Sequence, residues 1–370
     1  PLISPDGKNI LFTRGWVDKK NDQSRSNLWI VDIEGSRIRE LTQGNWRDFS
    51  PIWSPDGRRI AFLSDRDETT QIHVLWLDTR EIAQLTHLER SAQNLTWSPD
   101  GKKLAFTLFV PDDKPILPVK LPKKPEGAKW AEPAVLIDRL SWRADGRGFL
   151  PKGDDHIFTI DAEIGGTPRQ LTSEDYPHSD PQWSKDGKKI YFSAIRKPDA
   201  EYLFGDSEIY CIDLNTLEIK ALTDRKGPDR APRISPDGRL IAYTGFNDQN
   251  FTSHLSNLYL MDEDGGNKHI LAVNLPSSPS DVTWAADSSG VYYLMAEKGQ
   301  CNLYFISTGK KTRKVTEGVH YLSGLSIAGN GQAATLLSTF HDPGSLVTFN
   351  LSSPANFKKL VDVNEDILAD

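Results

Sequence analysis

Apolar and polar residues alternate in short runs along this chain, and the runs come in pairs around one recurring turn. From Trp53 to Ser64 the sequence reads WSPDGRRIAFLS. Related stretches start at Trp97 (WSPDGKKLAFTL), Trp183 (WSKDGKKIYFSA) and Ile234 (ISPDGRLIAYTG). In Ser-Pro-Asp-Gly, proline presets φ at the first central position and Asp suits the second. Gly takes the left-handed position that closes a bulged hairpin. Flanks of period two, such as Ile60 and Phe62, make each copy a β-hairpin.

The acidic or amide residue of the turn falls at Asp6, Asp56, Asp100, Asp145, Asp186, Asp237, Asp287 and, in degenerate form, Asn330. Spacings of 50, 44, 45, 41, 51, 50 and 43 predict eight copies about 46 residues apart. Two further strands follow most hairpins. One is an apolar run, as in NLWIVD (27–32), HIFTID (156–161), EIYCID (208–213), NLYLMD (257–262) and NLYFIS (302–307). The next ends in Leu-Thr or a relative, at Leu41-Thr42, Leu85-Thr86, Leu171-Thr172, Leu222-Thr223 and Val315-Thr316. Four short strands at this period predict an all-β fold, a β-propeller of four-stranded antiparallel blades. Eight blades are favoured, with units near 1–42, 43–86, 87–132, 133–172, 173–223, 224–272, 273–316 and 317–361. Seven is the alternative if the irregular third unit forms no full sheet. A lone blade cannot bury both faces, so its neighbours must carry the same apolar pattern. Trp53, Trp97, Trp142, Trp183 and Trp284, each just before a turn, are expected to pack between blades.

One unit breaks the rhythm. Between Gly101 and Trp142 no Leu-Thr strand occurs, and the stretch 110–134 holds Pro111, Pro115, Pro118, Pro122, Pro125 and Pro133. Proline at that density cannot supply ladder N–H groups. The segment reads as a surface insertion or as a functional loop reaching a partner domain.

Composition narrows the function classes. The net charge is -7 with no long basic run, which disfavours nucleic acid. No apolar stretch reaches the ~20 residues of a membrane span. Cys211 and Cys301 fall in strands two repeats apart and are expected to be free thiols, with no support for secretion. The chain opens at Pro1 inside a repeat unit and without a signal peptide, so upstream sequence is expected to be missing and the location cytoplasmic.

No G-x-S-x-G elbow occurs. The nearest relative, GLSIAG (324–329), aligns with a repeat strand and reads as structural. The eight histidines form no metal-ligand spacing, DEDGGN (262–267) lacks the ligands of a calcium loop, and no cofactor motif is present. One stretch carries candidate chemistry. In 194–213 (AIRKPDAEYLFGDSEIYCID) the connection between two strands is lengthened, and Asp199, Glu201, Asp206 and Glu208 cluster around Tyr202 and Phe204. Carboxylates beside aromatics can hold an ammonium group by charge-assisted hydrogen bonds and cation–π contact. The alternative is a solvated hairpin tip, with Asp206 or Glu208 capping the next strand.

The run PEGAKWAEPAVLIDRLSWRADGRGFL (125–150), then HIFTIDAEIGGTPRQLT (156–172) and PQWSKDGKKIYFSAIR (181–196), resembles the N-terminal propeller of the prolyl oligopeptidase family. The closest branch is that of the acylaminoacyl peptidases and dipeptidyl aminopeptidases. The likeness covers essentially the whole chain, and 362–370 resembles the link into the hydrolase domain. It implies a division of labour. A C-terminal α/β-hydrolase domain, absent here, holds the Ser-Asp-His triad, while the propeller caps it and limits access to short peptides. No catalytic residue is therefore assigned in this chain. Some members grip the substrate's free amine with a Glu of the propeller, for which Glu201, with Tyr202 and Asp199, is the candidate. Expected partners are the hydrolase domain and a short peptide substrate, with neither nucleic acid nor membrane, and a homo-oligomer left open. The competing reading is a TolB-like scaffold for a protein partner; an enzyme complete within the propeller ranks last.

Overall fold

The computed structural model describes residues 1–67, 69–112, 122–131, 136–203 and 205–362. Its strands form four-stranded antiparallel units in chain order: blade one spans 2–40, blade two 48–84, blade four 178–221, blade five 229–272, blade six 280–314 and blade seven 321–361. Blade three combines 92–111 with 153–170. Blades six and seven touch through one parallel pair, Cys301 with Tyr321.

Seven units, not the favoured eight, are present among the described residues. The stretches 87–132 and 133–172 share one sheet, because Lys103–Pro111 pairs residue for residue with Gly153–Asp161. The turn at Asp145 closes only a hairpin of two-residue strands, Arg143–Ala144 and Gly148–Phe149. Arg143, Gly148 and Phe149 are exposed, so this hairpin has no apolar faces to stack against a neighbour.

Seven apolar clusters join the blades pairwise. Leu11 and Leu28 meet Phe62 and Leu75 between blades one and two. Comparable clusters follow round the chain. The last packs Ala328, Ala334 and Leu346 of blade seven on Ile3, Ile10 and Phe12 of blade one, which closes the ring. Among the described residues no strand is exchanged at this seam. Ile3 N–H donates to Ser326 Oγ at 3.0 Å, and Lys358 pairs with Glu34. Ser326, in the GLSIAG stretch, is thus a seam residue.

The repeated residues each do one job. Ser98 Oγ donates to Asp100 Oδ1 (2.6 Å) and accepts from Lys103 N–H (2.9 Å). Ser4, Ser54, Ser184 and Ser235 likewise donate to the turn aspartate. These serine bonds hold the carboxyls of Asp100, Asp186 and Asp237 below their ordinary pKa. Gly57 sits at φ +69°, the left-handed region the turn demands. Four of the tryptophans bridge blades: Trp53, Trp97, Trp183 and Trp284 donate Nε1–H to the carbonyls of Leu2, Ile52, Thr96 and Arg233 on the preceding blade. Trp142 does not. It lies 38% exposed on the inserted hairpin, against Phe149.

The Leu-Thr signature is explained by the threonine. Thr42, Thr86, Thr172, Thr223 and Thr316 are buried and accept the N–H of Leu28, Ile72, Ile157, Ile209 and Leu303 on the adjoining strand. This satisfies a backbone donor where the ladder ends. Cys211 and Cys301 are free, the first half-buried and the second buried. No helix among the described residues is long and apolar enough to cross a membrane.

Strand direction divides the ring into two faces. The Ser-Pro-Asp-Gly turns and the tight turns after each third strand lie on one, here the turn face. The second-to-third-strand loops and the connections between blades lie on the other, the loop face. Val361 pairs with Leu346, beside the 339–344 loop, so the last strand finishes on the loop face. Leu2 and Ile3 pair with Leu11 and Ile10 beside the turn at Asp6, so the first strand is described only at its turn-face end.

Candidate functional site

On the loop face a cavity of about 1010 Å³ opens between blades three and four. One wall is the insertion, from Leu136 to Asp155. The other is formed by Ile195, Pro198 to Tyr202 and Gly205, from the lengthened connection of blade four. Residues 175–177 and Arg90 to Gln93, from inter-blade connections, complete it. The volume sits at the upper end of small-ligand pockets, which run to about 1,000 Å³.

The sequence candidates separate into two groups. Asp199, Glu201 and Tyr202 all line the cavity. They belong to a single 3₁₀ turn, Ala200–Tyr202, with Asp199 at its N-cap. Asp199 and Glu201 are exposed, and Tyr202 is 75% exposed. Leu140 N–H donates to Glu201 Oε2 at 3.4 Å, linking the insertion to the blade-four wall. Asp206 and Glu208 are instead structural. Lys197 Nζ donates to Asp206 Oδ2 (2.5 Å) and Glu208 Oε1 (3.3 Å), and Gly227 N–H donates to Asp206 Oδ1 (2.7 Å). Glu208 is buried at the start of its strand, where Thr223 Oγ1–H donates to it at 2.7 Å. Burial pushes its pKa up. Phe204 lies outside the described residues.

The sequence reading missed the opposite wall. Asp154 and Asp155 close the base of the insertion, and burial raises both carboxyls. Asp155 Oδ1 is shielded from solvent without a hydrogen-bond partner, while Arg139 stands 3.7 Å from Asp154. Lys152 donates to Asp138 at 2.5 Å. Trp142 and Phe149 give the cavity an aromatic side, their ring centroids 5.6 Å apart.

Around the ring, ionisable groups are buried at the loop-face ends of the strands. Asp48 receives two hydrogen bonds from Arg66, at 2.9 and 3.0 Å. Arg225 pairs with buried Asp229 and lies 3.9 Å from the Tyr259 ring centroid. The His178 side chain is fully buried, with Nδ1 3.2 Å from the Asp155 carbonyl and Nε2 3.7 Å from Glu174. Burial, then the neighbouring His156, lowers its pKa to about 4. A strand-initial acid, as in DFSPIW (48–53) and DRAPRI (229–234), is the signal that could have exposed two of these pairs.

Comparison with known proteins agrees with this geometry. Residues 1–117 match the TolB beta propeller domain family. A relative named dipeptidyl-peptidase 5, from Porphyromonas gingivalis, is 27% identical over 344 residues, covering 88% of this chain and 48% of the relative. The chain spans about half the length of the curated relatives it matches most fully. In fold, it superposes on the acylaminoacyl peptidase of Pyrococcus horikoshii with a TM-score of 0.74 at 19% identity, over 98% of this chain and 52% of that one. The β-propeller domain of the trilobed protease of Pyrococcus furiosus, described as having an open velcro topology, gives 0.66 at 18% identity, over 98% and 95%. In fold the chain is a β-propeller; its residues 1–117 match the TolB propeller family, and in sequence it is similar to a relative named dipeptidyl-peptidase 5, in line with the resemblance read from its sequence.

Proposed function

We propose that this chain is the non-catalytic propeller of a prolyl oligopeptidase-type serine peptidase. In this reading it caps an α/β-hydrolase domain and restricts access to short peptides. The observation that carries it is the match of nearly the whole chain to about half of a dipeptidyl peptidase. The loop face supplies the physical support. Phe340 is 97% exposed and Val319 82%, and Phe251, Leu255 and Val273 stand out on the same side. Exposed apolar groups gathered on one side suit a surface that another domain covers. The last strand finishes on this face, beside the 339–344 loop.

Within the cavity, Glu201 holds the ammonium group of the peptide, assisted by Asp199 and the ring of Tyr202. Joined to the hydrolase domain of a relative such as dipeptidyl-peptidase 5, the chain should support cleavage of aminoacyl or acyl-aminoacyl chromogenic substrates. Hydrolysis by the chain alone would overturn the division of labour. In the joined enzyme, Glu201→Gln should raise KM about tenfold for substrates with a free amine, the size of one charge-assisted hydrogen bond. Substrates with an acylated amine should be unaffected. An equal change for both would remove Glu201 from amine recognition. A stable complex with a separate protein, and no activity in the joined form, would favour the scaffold reading.

A further inference from the structure

Pairing off the charged groups of the cavity leaves a remainder of both signs. Arg139 is engaged by Asp154 and Lys152 by Asp138. Two guanidinium groups on the same walls, Arg90 and Arg147, form no close ion pair with a described residue, although Arg147 is the charged neighbour that partly offsets burial at Asp155. Both residues are exposed. Arg90 leaves the connection between blades two and three and stands 5.9 Å from the Phe109 ring centroid. Arg147 follows Gly146 in the turn of the inserted hairpin, its N–H bonded to the Ala144 carbonyl at 3.2 Å. The two arginines reach the cavity from different elements, one from the ring and one from the insertion. Asp199 and Glu201 occupy the blade-four side.

We propose that Arg90 and Arg147 form an anion subsite of this cavity, which receives a carboxylate of the bound peptide while Glu201 receives its ammonium group. The proposal rests on the reading of the cavity as a short-peptide site. Guanidinium presents its donors as a planar fork that matches a carboxylate, and two such groups lining one cavity can both donate to it. Ligand and protein charges then cancel across the cavity, and neither end of the peptide is left desolvated and unpaired. The preferred ligand is a short zwitterionic peptide rather than an internal stretch of a long chain. The carboxylate can be the peptide's C-terminus or an acidic side chain.

Calorimetric titration of the chain with four probes separates these possibilities: the dipeptide Leu-Phe as free acid, Leu-Phe amide, N-acetyl-Leu-Phe acid, and Leu-Glu amide. Leu-Phe acid should bind about tenfold tighter than its amide, and the Arg90→Gln/Arg147→Gln double variant should erase the difference. Both positions are exposed, so the double variant should melt at the wild-type temperature. Recovery of affinity with Leu-Glu amide assigns the subsite to any carboxylate, and no recovery restricts it to the C-terminus; each supports the proposal. Equal binding of acid and amide by the wild type overturns it, whatever the effect of acetylation. If acetylation alone leaves affinity unchanged while amidation weakens it, the ammonium reading of Glu201 falls and the anion subsite stands. Absence of binding by all four probes at millimolar concentration overturns both.

Discussion

The two faces of the ring are built on different terms. On the turn face each Ser-Pro-Asp-Gly unit satisfies its own polar groups, with a serine bonded to an aspartate two residues on and to a backbone N–H five residues on. Few large apolar side chains are exposed there, Ile38, Ile164 and Leu217 among them. The loop face carries connections of unequal length, the cavity, and exposed groups such as Phe340 and Val319. Buried ionisable side chains also gather at its strand ends, at Asp48, His156, His178, Glu208 and Asp229. Repetition is enforced where neighbouring sheets must interlock. Variation is permitted where the chain turns back without constraining its neighbour.

Three measurements test this contrast. Trp183→Ala removes a buried ring and its bond to the Thr96 carbonyl on the preceding blade. It should cost about 3–5 kcal/mol in chemical denaturation. A loss below about 1 kcal/mol would mean that the tryptophans do not tie the blades together.

Acidification should weaken the loop-face side next. Burial holds the pKa of His178 near 4 in the folded chain, below the ordinary imidazole value of about 6.5. The unfolded chain therefore takes up the proton first. Stability is full above about pH 6.5 and declines as pH falls toward 4, by on the order of 3 kcal/mol for this group. His156, Glu174, Arg196 and Asp155 surround the site and share in the titration. Melting temperatures recorded from pH 7 to 4 should fall, and His178→Gln should flatten the slope. A slope unchanged by that substitution would assign the loss to other groups.

The smallest effect is expected at the loop tips. Phe340→Ser, at a fully exposed position, should shift stability by no more than about 0.5 kcal/mol. It should still weaken association with a hydrolase domain if the loop face is the docking surface. A large stability loss would show that Phe340 packs within the ring.

What could be read from the sequence follows the range of the interactions. The hairpin turns, the inter-blade tryptophans and the Leu-Thr strands were legible because each depends on residues close in sequence or repeated at a fixed offset. The blade number was not. The pairing of Lys103–Pro111 with Gly153–Asp161 bridges a proline-rich excursion that contains its own Asp-Gly turn, and a local rule counts that turn as a unit. Trp142 was misplaced for the same reason. Asp199, Glu201 and Tyr202, singled out by residue type and by the lengthened connection that holds them, lie together on one wall of the cavity. Its counterpart, the insertion with Arg147 and Asp155, could not be found that way, because nothing in the linear pattern says that two loops of adjacent blades face each other across a cavity.

The uncrossed seam has a consequence for how the molecule comes into being. Among the described residues each sheet draws its strands from consecutive stretches of chain, blade three across its long insertion, so its backbone pairing can be completed before the next blade is made. Only the docking of Ala328, Ala334 and Leu346 onto Ile3 and Ile10 must wait for the final blade. Hydrogen exchange pulsed during refolding should accordingly find the amide of Ile3 among the last to be sheltered.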